Sequence, residues 1–239
     1  MARRRFFVDT IREGIAELHG EDARHLARVL RAAPGQQYEI SDGRTVWLAE
    51  IAAARADRVV FRVLEPAEAI ALPIEITLCA SLIQFAHFEW MIEKATELGV
   101  ARILPVEAAR TEKGLFEASR KRTERWVRIA RESSQQCRRV SAPEILPAVR
   151  FDRALSIAAP LRYFLEEGAA PPLLRCLPSE RQADAHIVLL VGPEGGWTDT
   201  ERQLAASAGW QAVSLSPLVL RAETACAAAL AVLTAAWMR

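Results

Sequence analysis

Cysteine is scarce and scattered. The chain has four, Cys79, Cys137, Cys176 and Cys226, and no two of them are spaced C-x-x-C. That spacing excludes a zinc knuckle and a redox motif, and it reads as reduced thiols in a cytoplasmic protein. No His/Cys/Asp cluster has metal-ligand spacing, so no metal is expected. No apolar run reaches the roughly 18 residues that a membrane-spanning helix requires, so no membrane partner is expected. Lysine is almost missing: three of the 31 basic residues are Lys. This bias reads as codon composition, so a given Arg is not by itself a functional choice. The opening, Met1 to Asp9, meets an acid before any apolar stretch, and no signal peptide is expected. Internal repeats and low-complexity tracts are also lacking.

What is present fits an ordinary globular protein. Hydrophobic residues make up 51% and charged residues 26% of 239, enough to bury a sizeable core. Net charge is +1, but it is unevenly spread. Residues 1–72 balance, whereas residues 110–139 carry ten Lys and Arg against Glu112, Glu117, Glu124 and Glu132. Pairs such as Glu124–Arg128 at i,i+4 account for part of this segment. Phosphate contact is the expected use of the excess.

The order of patterns predicts two domains. A short helix over about Gly20 to Arg31 precedes alternating runs at 37–40, 45–51 and 58–64, with Asp42-Gly43 as a hairpin signal. Pro66 and Pro73 bracket a linker, which puts the boundary near residue 70. After Pro73, strands at 74–83, 102–106, 161–166, 187–191 and 211–215 alternate with helices. The helices are a stripe from Phe88 to Leu98, a long helix over about 117–138, and helices at 198–208 and 222–238. This alternation predicts a mostly parallel sheet covered on both faces.

Two loops carry candidate chemistry. The buried strand at 187–191 runs into Gly192-Pro193-Glu194-Gly195-Gly196-Trp197, and Thr198-Asp199-Thr200-Glu201 then forms a capping box. The spacing matches neither a dinucleotide fingerprint nor a P-loop. Two readings stand: a tight turn only, or a turn that lets a ligand approach the backbone. The second loop is Leu215-Ser216-Pro217-Leu218-Val219-Leu220-Arg221, leading into a helix near Ala222. A cation at a helix start opposes the dipole. Arg221 therefore points either to an anionic ligand or to a local ion pair with Glu223. His25 and His186 flank apolar runs and read as packing residues. His87 has room to face a nucleic acid, but nothing around it demands catalysis.

Gly192-Pro193-Glu194-Gly195-Gly196 together with Leu220-Arg221-Ala222-Glu223-Thr224-Ala225 resembles the RsmE family of 16S ribosomal RNA uridine-N3 methyltransferases, within the SPOUT superfamily. Arg5-Phe6-Phe7-Val8, His25 to Arg31, Lys94 to Val100, Gln136-Cys137-Arg138-Arg139 and Pro143-Glu144-Ile145 are similar to further signatures of that family, in the same order. The resemblance implies an α/β protein. Its N-terminal PUA-like RNA-binding β-barrel would span 1–70, and a SPOUT domain with a C-terminal trefoil knot would span 74–239. It implies S-adenosylmethionine as cofactor, held by Leu190, Gly192, Pro193, Glu194, Gly195, Gly196, Leu215, Ser216, Leu220 and Thr224. Arg221 and Glu223 are the implied catalytic residues, and Arg5, Arg31, Arg110 and Arg139 the implied RNA contacts. Small-subunit rRNA and a second copy of the chain, paired through the knot, are the implied partners.

Three positions depart from the family pattern. Gln84-Phe85-Ala86-His87 stands where a basic K-x-x-R-like stretch is usual, Ser216 where a glycine is expected, and Leu218 where an arginine is expected. The first and third remove positive charge near the expected RNA path. They keep open a SPOUT enzyme acting at another RNA position. A non-catalytic RNA-binding or assembly factor is a further alternative, which the two intact loops oppose. The segment from Ala225 to Trp237 has no charge in 13 residues. It lacks the polar stripe of a surface helix, and is expected to be buried all round, with a second subunit covering part of it.

Overall fold

The computed structural model describes residues 4–238. Contacts divide the chain into two units: residues 1–71 with 131–142, and residues 72–130 with 143–239. The return of 131–142 to the first unit is not visible in a linear division near residue 70.

The first unit is built from β1 (Arg5–Phe7), β2 (Ile11–Arg12), β3 (Ile15–His19), α1 (Gly20–Arg24), β4 (Gln37–Ser41), β5 (Val46–Ala54) and β6 (Arg58–Pro66). The six strands hydrogen-bond in the order β1-β4-β5-β6-β3-β2, with β1 and β4 parallel. Alternate residues Ile40, Ala49, Ile51, Val59 and Phe61 turn inward to a core with Phe6, Leu18 and Leu26, as the two-residue strand period dictates. The expected helix over 20–31 is one α-helical stretch followed by a π-helical turn at His25–Val29. Arg31 then takes a left-handed φ of 50°.

Arg5 requires a correction. It is 2% exposed and faces Glu39 across the β1–β4 register. Its Nε and Nη2 donate to Glu39 Oε2 at 3.1 and 2.9 Å, and its Nη1 donates to the Arg138 carbonyl. A buried guanidinium is tolerated only when paired in this way, so Arg5 is not available to a phosphate. The basic segment is spent similarly. Arg138 also binds Glu39, and Arg131 donates from Nε to Asp22 at 3.1 Å and from Nη2 to the Phe7 carbonyl at 2.8 Å.

The second unit contains β7 (Ile74–Ser81), α2 (Phe85–Glu97), β8 (Arg102–Glu107), α3 (Leu115–Ser119), α4 (Thr123–Gln136), β9 (Glu144–Ile145), β10 (Val149–Arg150), α5 (Phe151–Leu155), β11 (Leu161–Leu165), α6 (Leu173–Cys176), β12 (Ala185–Val191), α7 (Asp199–Ser207), β13 (Gln211–Val213) and α8 (Ala222–Trp237). The last turn and a half of α4, from Arg131, is counted with the first unit. The single helix expected over 117–138 is two helices. Seven strands form an all-parallel sheet in the order β10-β8-β7-β12-β11-β13, with β9 also on β8.

Strand alternation sends side chains to both faces. Ile76, Leu78, Ile187, Leu189 and Val191 pack with Phe88, Ile92, Leu230 and Leu233 of α2 and α8. Cys79, Leu104, Val188 and Leu190 pack with Phe151, Ala205, Trp197 and Trp210 on the other side. Each fully buried Leu, Ile or Phe contributes about 1.5–3 kcal/mol, which is why the β7 and β12 runs are apolar almost throughout. Arg122 and Arg125 of the basic segment both pair with Glu89 of α2, at 3.7 and 2.7 Å. Internal carboxylates therefore take up several of the cations expected to be in excess.

Candidate functional site

Ligand sites in open parallel sheets lie beyond the carboxyl ends of the strands. A cavity of about 460 Å3 opens there in the second unit, past β11 and β12. That volume lies within the ~300–1,000 Å3 typical of small-molecule sites. Three loops line it: Leu165 to Glu167 after β11, Val191 to Trp197 after β12, and Leu215 to Ala222 leading into α8. Gln84 and His87 close it from the start of α2.

The glycine loop is held by Trp197. This residue is 2% exposed, stacks on Phe164 at 4.6 Å between ring centroids, and donates from Nε1 to the Leu165 carbonyl at 2.8 Å. A Cβ on Gly192 would fall 2.9 Å from Trp197 Cε2, so no side chain fits there. Gly196 has a φ of +66°, a region that favours glycine. Thr198 and Glu201 form the expected capping box on α7. The second Glu201 oxygen also accepts from the Ala109 amide at 2.8 Å, and Arg110 Nη1 donates to the Gly195 carbonyl at 2.7 Å. These bonds tie the loop from both ends.

Of the residues expected at the cofactor, Gly192, Pro193, Glu194, Gly196, Leu215, Ser216 and Leu220 line the cavity, and so does Arg221. Leu190, Gly195 and Thr224 do not line it. Strand alternation buries the Leu190 side chain in the Trp197 core, on the opposite face from Val191. Gly195 sits against the Arg110 side chain, and Thr224 is exposed on α8. Ser216, at the expected glycine, accepts from the Leu218 amide through Oγ at 3.0 Å. Arg110 and Arg31 are exposed, whereas Arg139 is half-buried with its Nε donating to the Ser141 carbonyl at 3.1 Å.

Arg221 is the N-cap residue of α8, exposed, and makes no ion pair among the described residues. The local pairing with Glu223 that the sequence left open is not made. Glu223 instead accepts through Oε1 from His87 Nδ1 at 3.0 Å, and its Oε2 is buried without a partner among the described residues. Burial pushes the Glu223 carboxyl up. The hydrogen bond from His87, its own backbone amide and the nearby charges of His87 and Arg221 outweigh burial and hold it below the usual carboxylate range. Glu166 shows the same balance. Burial raises it, but Arg202, donating from Nε at 2.6 Å and Nη2 at 3.1 Å, draws it below that range. Sequence reasoning gave no role to Leu165, Glu166 and Glu167, and it singled out Gln84 and His87 only beside the expected RNA path, not at the cofactor cavity. The strand ending at 165 was the available signal for the first three.

The cavity suits S-adenosylmethionine. Glu167 and Glu194 offer carboxylates to a ligand carrying positive charge, while Leu165, Val191, Leu215 and Leu220 offer apolar walls to a purine.

Residues 71–234 match the family model of an RNA methyltransferase domain, and residues 18–64 that of an RNA methyltransferase PUA domain. The chain is 35% identical over 226 residues to ribosomal RNA small subunit methyltransferase E of Synechocystis sp., covering 92% of this chain and 71% of the relative. It is 33% identical to the protein of the same name from Mycobacterium bovis, covering 97% and 92%. A ribosomal RNA small subunit methyltransferase E from Neisseria gonorrhoeae, solved bound to S-adenosyl methionine, superposes with a TM-score of 0.88 at 30% identity, covering 99% of this chain and 98% of that one. A PUA-like domain followed by a parallel-sheet methyltransferase domain places the chain in the RNA methyltransferase family that includes the ribosomal RNA small subunit methyltransferase E proteins.

Proposed function

We propose that this protein transfers a methyl group from S-adenosylmethionine to N3 of a uridine in small-subunit (16S) ribosomal RNA. The observation that carries the reading is the cavity at the ends of β11 and β12, where the glycine loop and the loop before α8 meet. Support comes from the relatives named for small-subunit rRNA methylation and from the solved relative that holds S-adenosyl methionine.

The cofactor supplies an electrophilic methyl group. Gly192, Pro193, Gly196, Leu215, Ser216 and Leu220 would hold it, with Glu194 facing its positive charge. Arg221 holds a uracil carbonyl oxygen and stabilises the charge that develops as the N3 proton leaves. The target base must be unpaired or extruded to enter such a cavity. Arg31, Arg110 and Arg139 guide the RNA, together with the exposed Lys113, Arg120 and Lys121.

We further read residues 1–70 as the RNA-binding PUA-like β-barrel and 74–239 as a SPOUT domain with a trefoil knot. Two copies pair through the knot, and the enzyme works in the cytoplasm. The uncharged stretch of α8 from Ala225 to Trp237 supports the pairing: its buried face points to α2 and the sheet, but Ala231 and Ala235 remain exposed along the other side. Calorimetric titration tests the cofactor assignment. S-adenosylmethionine binds with one site per chain and equally in EDTA. Absence of binding by the folded protein overturns the reading.

A further inference from the structure

We propose that His87 is the proton acceptor for the methylated base and that Glu223 is its positioning residue; this rests on the uridine-N3 reading above. His87 lines the cavity, whereas Glu223 does not. The two side chains come from helices 136 residues apart in sequence and meet at 3.0 Å, from Nδ1 to Oε1. An ionised carboxylate only accepts, so Nδ1 carries the hydrogen and Nε2 carries the free lone pair. The side chain of His87 is 35% exposed and that of Glu223 12%. The imidazole is thus the member of the pair within reach of a substrate, and the carboxylate stands behind it. This is the arrangement of a base oriented by a third group.

The alternatives among the carboxylates are weaker. Glu223 is held in its ionised form by His87 and Arg221, which makes it a poor base. Glu166 is engaged by Arg202 from two nitrogens. Glu167 and Glu194 are exposed on the far loops. On His87's own helix the nearest charge, Glu89, is taken by Arg122 and Arg125. The bond from Nδ1 to Glu223 Oε1 fixes the orientation and tautomer of the imidazole.

The step balances. The uridine N3–H bond breaks and its proton moves to His87 Nε2. The electron pair left on N3 forms the new N–CH3 bond. The bond from that carbon to the sulfonium sulfur breaks, and its pair stays on sulfur as a neutral thioether. The imidazolium then returns its proton to solvent.

The test is single-turnover methylation of small-subunit rRNA by the full-length protein between pH 5 and 9, with S-adenosylmethionine affinity measured on the same samples. Loss of a general base costs about 10²–10⁴-fold. His87→Gln is expected to lose rate in that range, keep its cofactor affinity, and lose the acid limb of the pH–rate profile. Glu223→Gln keeps an acceptor for Nδ1, so it is expected to lose less rate than Glu223→Ala, which removes the acceptor, with cofactor affinity kept in both. A His87→Gln protein with wild-type rate and profile overturns the proposal. So does loss of rate in step with cofactor affinity, because His87 would then be a cofactor contact. Equal rates in Glu223→Gln and Glu223→Ala overturn the positioning role. Wild-type protein that binds cofactor but leaves rRNA unmethylated overturns the uridine reading itself, and this inference with it.

Discussion

Replacing Gly192 with Ala places one methyl group against the best-fixed side chain at the cavity. The new Cβ lies 2.9 Å from Trp197 Cε2 and 3.1 Å from Nε1. Trp197 has nowhere to retreat: Phe164 stacks on it and Phe151 lies 5.4 Å away, centroid to centroid. Moving the indole also strains the 2.8 Å bond to the Leu165 carbonyl, and Leu165 is itself a cavity wall. Overpacking of this kind costs about 1–3 kcal/mol. For a chain of this size that lowers Tm by roughly 2–4 °C per kcal/mol. If half of that cost falls on the loop instead, cofactor affinity falls by about two- to twelvefold, since 1.4 kcal/mol is one decade. Gly168→Ala is the control, because its Cβ meets nothing nearer than 3.9 Å. Thermal unfolding and calorimetric titration of the two variants decide the matter. Wild-type Tm together with wild-type affinity in Gly192→Ala would refute the steric argument for this glycine.

Arg221→Ala is expected to lower turnover about 10²–10³-fold with cofactor affinity little changed. Because the helix dipole disfavours a cation there, thermal unfolding of the variant shows no loss of stability; unchanged single-turnover rate marks the residue as structural. Glu166 is depressed in the folded state, so its contribution is full above the ordinary carboxylate range and is lost as pH falls through its lowered value. Urea unfolding of Glu166→Gln therefore differs from wild type at pH 7, and the difference closes as pH falls through and below the ordinary carboxylate range. Light scattering at low micromolar concentration should return the mass of two chains, and a monomer mass with cofactor binding intact contradicts pairing through α8.

Much of the second unit was legible because its signals are local. The apolar runs of β7 and β12 and the Thr198–Glu201 box require only neighbours in sequence. The two-residue strand period likewise already puts the Leu190 side chain opposite Val191. The break between α3 and α4 was missed because no Pro or Gly marks Arg120 to Arg122. Arg5 was misread because its partner Glu39 is set by a parallel register, and Arg138 reaches the same carboxylate from 99 residues away. The His87–Glu223 pair was invisible for the same reason. Neither residue has a local partner that marks it, and only packing of α2 against α8 brings them together.

The central claim is tested most directly by mapping modified nucleotides, by mass, in small-subunit rRNA from cells that lack the gene, with and without complementation. The account predicts that one N3-methyluridine disappears without the gene, returns with the wild-type chain, and stays absent with Arg221→Ala. A full complement of N3-methyluridine in the deletion strain, or the loss of a methyl group at a different base atom, would contradict it.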